Sequence, residues 1–432
     1  MLPPMDGPIP VFDPRAVLDG RRGGRTPVGF IVGIAITAAC GIVALGIEMA
    51  QSLAAGDGAV PFFVALPLAL LPVPLLIAVV LWVDRLEPEP RGNLAFAFGW
   101  GAGVAALLAL LINTAGLVYI TQPELGTTRG QFVSATFGAP FVEETLNGAV
   151  LVGLLWRRRQ EFDGPTDGVI YAAMVGLGFA MIENVGYYVN AMVTPVQGGV
   201  ELLGFTFVLR GVLSPLLHPL FTSMTGLGVA GAAARRPSSP WPVICGWLAA
   251  MFLHGLWNGL SAQGPPGLAI GYGVMLCVAV GVLIVLVRDR RRLVRLIGRY
   301  LPPYEATGLV TAADIRMLGS LRRRRGARAW ARAAAGLPAA EAMSDYQLAA
   351  TELALLHSKA DHGIVTGPEF LDRQYDLVAL MHAAQEAFLS RRQAGPAAPW
   401  APPGGSGFAH GTPRRATLPS PGGRPPQAPA AE

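Results

Sequence analysis

Eight apolar stretches, each long enough to cross a bilayer, constrain this chain more than any other feature. They lie near residues 28–50, 60–83, 94–120, 136–156, 167–192, 204–232, 241–262 and 267–287. Each approaches or exceeds the roughly 20 residues that a helix needs to span the hydrocarbon core. Only helices and closed barrels satisfy their backbone groups in lipid, so stretches of this length predict an all-α, polytopic membrane protein. The composition agrees. The chain is 52% hydrophobic and 14% charged, against about a quarter charged in soluble domains.

Arginines orient the spans. Arg21, Arg22 and Arg25 precede the first; Arg85 and Arg91 follow the second; Arg157, Arg158 and Arg159 follow the fourth. Arg235 and Arg236 follow the sixth, and Arg288, Arg290, Arg291 and Arg292 follow the eighth. The alternate loops carry Asp57, then Glu124 with Arg129, then Glu201, then no charge. The positive-inside rule therefore predicts that both termini are cytoplasmic. Lys359 is the only lysine, and with the excess of Ala and Gly this points to a GC-rich bacterial genome, which with the spans places the chain in a bacterial plasma membrane. The arginine clusters read as topology signals and lipid-surface contacts, with no nucleic-acid partner. Residues 1–27 form a cytoplasmic leader, and the apolar run that follows is too long for a signal-peptide core and reads as a retained anchor. Residues 28–287 form the membrane domain. A basic, helical cytoplasmic region follows over 288–393, then a disordered Pro- and Gly-rich tail over 394–432. Cys40, Cys245 and Cys277 show no ligand spacing and read as small buried side chains without disulfides. His357, His362 and His382 read as packing or solvated residues.

Polar groups interrupt four consecutive spans. The fourth carries Glu143 and Glu144, with no cation within helical reach. The fifth carries Glu183, Asn184 and Tyr187; the sixth, His218; the seventh, His254 and Asn258. His254 and Asn258 are four apart and share a helix face. At about 1.5 Å per residue, Glu144, Glu183 and His254 each fall roughly 12 to 14 Å inside one membrane boundary, with His218 nearer the midplane. An intramembrane charge costs at least about 2.5 kcal/mol on insertion scales, so a shared layer of them points to a site. A carboxylate in such a layer can take a proton from water, and His and Asn can stabilise an oxyanion, orient the base or bind metal. The same groups could also form a proton or cation relay in a transporter. That reading would be marked by broken helices and a structural repeat, and neither is evident in the sequence.

These residues resemble the PrsW family of intramembrane proteases, within the group that includes CAAX-processing enzymes. The matching elements are Glu143-Glu144, Glu183-Asn184 with Tyr187, His218, and His254 with Asn258. The turn Trp82-Val-Asp-Arg-Leu-Glu-Pro-Glu-Pro90 and the whole of about 28–287 take part. The resemblance implies proteolysis of membrane-anchored, single-span substrates, anti-sigma factors being the kind known for PrsW itself. Glu143, Glu144, Glu183, His254 and Asn258 would be catalytic, with Glu144 the first choice for activating water; Asn184 and Tyr187 would bind substrate. Two mechanisms stay open. In one, zinc or another divalent ion is held by His218, His254 and a carboxylate such as Glu183, three protein ligands as in catalytic zinc sites. In the other there is no metal, and His254 with Asn258 stabilises the oxyanion. Many relatives carry a basic residue three or four positions after the second glutamate, where this chain has Asn147 and Gly148; Arg210 is the candidate replacement. An inactive, peptide-binding relative is a third reading. Neither substrate identity nor oligomeric state is legible.

Overall fold

The computed structural model describes residues 14–18, 28–159, 162–194, 199–234 and 239–389. The expected disordered tail, most of the leader, and Arg21, Arg22, Arg25, Arg235 and Arg236 lie outside the described residues. Every described element is helical. The described residues fall into two compact units, one within 26–287 and the other comprising those from 288 onward together with Pro14–Leu18.

The membrane unit consists of α1 (Val28–Ala54), α2 (Val60–Val83), α3 (Arg91–Leu125), α4 (127–158), α5 (Pro165–Val193), α6 (199–213), α7 (Leu217–Ala233), α8 (Trp241–Ser261) and the first part of α9 (Pro265–Tyr300). Among the described residues, seven segments are long and apolar enough to cross a membrane, α6 and α7 counting as one. The fourth of the eight expected spans is also a helix, Ala139–Arg158, and its 20 residues suffice in length. Glu143, Glu144 and Asn147 lower its apolar content, so composition alone does not mark it. The expected continuous sixth span is instead broken at Ser214-Pro215-Leu216. Proline lacks an amide hydrogen and disfavours α geometry in the residue before it.

α5 is the centre of the unit: 89% of its apolar window is buried, against 11–44% for the other segments. Its sequence allows this because small residues let neighbours approach. At the crossing with α3 the contact is reciprocal: a Cβ on Gly178 would lie 2.9 Å from the Ala102 nitrogen, and one on Gly101 would lie 3.0 Å from the Phe179 nitrogen. Gly101 opens a wide π-type turn, Gly101–Ala105, within α3.

The turn between α2 and α3 is pinned to α5. The Glu89 amide donates to Asp84 Oδ2 at 2.9 Å, and the Tyr171 hydroxyl of α5 donates to Glu89 Oε2 at 2.7 Å. Arg85 stacks over Trp82. Burial pushes the Asp84 carboxyl up to about 7, while the Glu89 amide pulls it down.

In the second unit, α10 (Ala312–Leu318), α11 (Leu321–Asp361) and α12 (Gly367–Leu389) follow the end of α9, and a short helix, Pro14–Leu18, joins them. A capping box, Thr311 with Asp314, starts α10, and α11 kinks at Ala335–Gly336. His357 is buried, with Tyr304 Oη 2.8 Å from its Nε2 and Tyr300 stacked on its ring. All three cysteines are free; Cys245 and Cys277 are exposed on the protein surface, a correction to the expectation of burial. Their helices bury so little of their surface that a small side chain falls as readily on the lipid side.

Two measurements follow. A methyl at Gly178 overpacks the α3–α5 contact, and such insertions cost about 1–3 kcal/mol; Gly178→Ala lowers the thermal midpoint of the purified protein, read by differential scanning fluorimetry. Asp84 binds its proton more tightly folded than unfolded, so its contribution to stability is full below its ordinary 3.8 and lost as pH rises through about 7. Asp84→Asn flattens the midpoint-versus-pH curve across that window; an unchanged slope assigns the dependence elsewhere.

Candidate active site

The polar groups of α4, α5, α7 and α8 converge. Glu144 is fully buried. Its Oε1 lies 3.0 Å from His254 Nδ1, and its Oε2 accepts from the Thr222 hydroxyl at 3.0 Å. Glu143, also buried, accepts from Asn113 Nδ2 at 2.9 Å through Oε1. Its Oε2 has no hydrogen-bond partner within the protein and stands 3.7 Å from His254 Nε2.

His218 is the second residue of α7, just after the helix break, and is held from two sides. Gly176 of α5 sits so close beneath it that a Cβ there would lie 2.7 Å from the His218 carbonyl carbon. Its Nε2 lies 2.8 Å from Glu183 Oε2, and its Nδ1 is buried without a partner. The two imidazoles pack edge to face, centroids 5.0 Å apart, and Phe221 stacks on His254.

Arg210, the replacement basic residue that the sequence offers for the Glu143-Glu144 pair, makes its bonds to α5 instead. It pairs with Glu183 Oε2 through Nη2, donates to Asn184 Oδ1 through Nε at 2.7 Å, and lies over the Tyr187 ring at 3.6 Å. The π-type turn Val208–Leu213 carries it. Asn184 and Tyr187 thus hold the arginine, and Asn258 donates to the Ala135 carbonyl at 2.8 Å, tying α8 to α4. A cavity opens onto this assembly, lined among others by Glu183, Arg210, Ser214, His218, His254 and Asn258. Glu143 and Glu144 lie behind the imidazoles and do not line it.

Donor atoms of Glu143, His218 and His254 lie within 4.8 Å of one another. The expected metal set had Glu183 in place of Glu143. Glu183 instead bonds His218 Nε2, the outer-carboxylate position that fixes a ligating histidine's tautomer. The residues fit a divalent ion: two imidazoles and one carboxylate form a catalytic-type donor set, and Glu143 Oε2 and His218 Nδ1 are buried with no other use. Sequence reasoning missed Asn113 and Thr222. Thr222 follows His218 by four residues and could have been found by helical spacing; Asn113 stands alone in α3 and gave only its polarity.

Residues 89–287 match the model of the PrsW family of intramembrane metalloproteases. The match begins at α3, leaving α1 and α2 outside it. Protease PrsW of Geobacillus kaustophilus is 27% identical over 177 residues, 41% of this chain and 70% of the relative. Protease PrsW of Oceanobacillus iheyensis is 29% identical over 127 residues, 29% of this chain and 54% of the relative. No solved structure matches the chain.

The assembly makes a binding prediction. Glu143→Gln, His218→Ala and His254→Ala each abolish stoichiometric uptake of zinc or cobalt by the purified protein. Glu183→Gln keeps the stoichiometry and weakens affinity about 10- to 100-fold, as loss of an outer carboxylate does. Equal loss in all four would make Glu183 a ligand.

Proposed function

We infer, from the PrsW-family region at residues 89–287, that this chain is a membrane-embedded endopeptidase of a bacterial plasma membrane. It hydrolyses peptide bonds in membrane-anchored proteins of the single-span, anti-sigma kind. The arginine bias favours cytoplasmic termini. One observation carries the reading: donor atoms of Glu143, His218 and His254 lie within 4.8 Å of one another, and Glu143 Oε2 and His218 Nδ1 have no partner within the protein, while other atoms of these side chains bond Asn113, Glu183 and Glu144.

Glu143, His218 and His254 would hold the ion, zinc fitting the donor set best. When bound, it supplies Lewis-acid polarisation of the scissile carbonyl. The protein's own groups do the rest. Glu144, on the Nδ1 side of His254, orients that ring. Both bonds of Glu183 fall on Oε2, so Oε1 keeps its capacity to accept a proton from water beside the cavity. Arg210 fixes Glu183 in place, and Asn184 and Tyr187 fix Arg210. This moves the proton acceptor from Glu144, the first choice on sequence grounds, to Glu183. A metal-free reading is favoured by Glu143 Oε2 alone, which could then serve as the base with His254 beside it.

The test uses purified protein in detergent with single-span membrane proteins of the same organism, anti-sigma factors included. Cleavage is expected; Glu183→Gln lowers kcat at least about 100-fold, the scale of general-base catalysis, and a chelator abolishes turnover. Cleavage that survives chelation but not Glu143→Gln selects the metal-free mechanism. No cleavage, with glutamate-dependent proton or cation flux in liposomes, replaces the protease with a transporter.

A further inference from the structure

One helical turn from Glu144, on the side away from the imidazoles, a second polar cluster has no part in the chemistry above. α4 and α7 run in the same direction in matched register. Thr222 bonds Glu144, and a Cβ on Gly148 would lie 3.1 Å from the Thr225 methyl. Asn147 follows Glu144 by three residues and Thr225 follows Thr222 by three, so both project into the same seam. Asn147 is fully buried and Thr225 is 1% exposed. Asn147 Oδ1, Asn147 Nδ2 and Thr225 Oγ1 all lack a hydrogen-bond partner within the protein.

A buried amide and hydroxyl left unsatisfied would each cost a desolvation penalty, and buried polar groups in native proteins are nearly always paired. Two donors and two acceptors on one seam match what an internal water needs, about three hydrogen bonds to polar neighbours. A metal cation fits worse, because the amide nitrogen offers only protons.

We propose that Asn147 and Thr225 form a site for structural water between α4 and α7, beside the catalytic layer, that keeps water in reach of Glu144 inside the bilayer. The link to Glu144 rests on the protease reading; the water site itself does not. Water held there touches the Glu144–Thr222 pair from the face opposite the substrate cavity. Because Glu144 orients His254, the seam is coupled to turnover through that ring.

The test uses the full chain in nanodiscs and compares wild type, Asn147→Leu/Thr225→Val and Thr225→Ser. An experimental structure resolving ordered solvent is expected to show density bonded to Asn147 and Thr225. The double variant is expected to have a lower thermal midpoint, and kcat reduced at least tenfold with KM within twofold; Thr225→Ser restores kcat. A raised midpoint in the double variant, as when an unpaired polar pair is replaced by apolar groups of like shape, overturns the site. So does density showing Asn147 bonded to protein alone. A lowered midpoint with solvent density but unchanged kcat keeps the site and overturns its link to catalysis. If no substrate is cleaved by wild type, the protease reading fails while midpoint and density still decide the water site.

Discussion

Ionisable groups buried in a bilayer must find partners there, and the membrane unit is arranged around that requirement. Three carboxylates, two imidazoles and a guanidinium share one layer. Breaking a buried charge pair costs several kcal/mol because the surviving charge is left uncompensated. Each group is accordingly held by another helix: Glu144 by His254 and Thr222, Glu183 by His218 and Arg210, Glu143 by Asn113. These bonds join α3, α4, α5, α6, α7 and α8, so the polar layer also specifies how the helices pack. What is left unpaired in that layer is therefore informative: Glu143 Oε2 and His218 Nδ1, on two of the three residues whose donor atoms cluster within 4.8 Å.

Bringing six helices to one layer needs close backbone approach, and the sequence supplies it with glycine along α5. Gly178 admits α3, Gly176 admits the start of α7, and Gly168 meets Gly226 of α7. The Gly176 contact in particular lets the backbone at His218 lie against α5, the helix that carries Glu183. The apolar packing of α5 and the polar chemistry it carries are thus two faces of one helix. A substitution on the packing face reaches the site through the backbone.

Much of this was legible in the sequence. Length and apolarity give the spans, and the conflict between charge and lipid marks Glu143, Glu144, Glu183, His218 and His254. Sequence could not assign partners, because pairing between spans depends on helix rotation, which hydropathy does not encode when every face is apolar. Hence sequence offers Arg210 to the Glu143-Glu144 pair, whereas it bonds Glu183, and groups Glu183 with the ion's ligands, whereas its hydrogen bonds run to His218 and Arg210. The break before His218 was hidden for a related reason. Membrane helices tolerate proline when neighbours satisfy the freed groups, so Pro215 did not by itself announce an interruption. Glu48 was passed over because it lies near the end of a long span, yet it is buried against Gly186 of α5.

The break bears on the choice between protease and transporter. Discontinuous helices at mid-membrane mark transporter sites when they occur at corresponding positions of a repeat, with helix termini aimed at the cargo. Here the break is at 214–216, and Ser214, Pro215, Leu217 and His218 all line the cavity. Irregular backbone is tolerated at that depth where it borders a polar cavity, and its effect is local. It frees His218 from a continuous α6–α7 helix and sets the ring between Glu183 and His254. A relay would need its acidic groups exposed to one aqueous face and then the other. Glu143 and Glu144 are instead sealed behind the imidazoles and clamped by side chains from α3, α7 and α8, an arrangement that favours fixed geometry over alternating access.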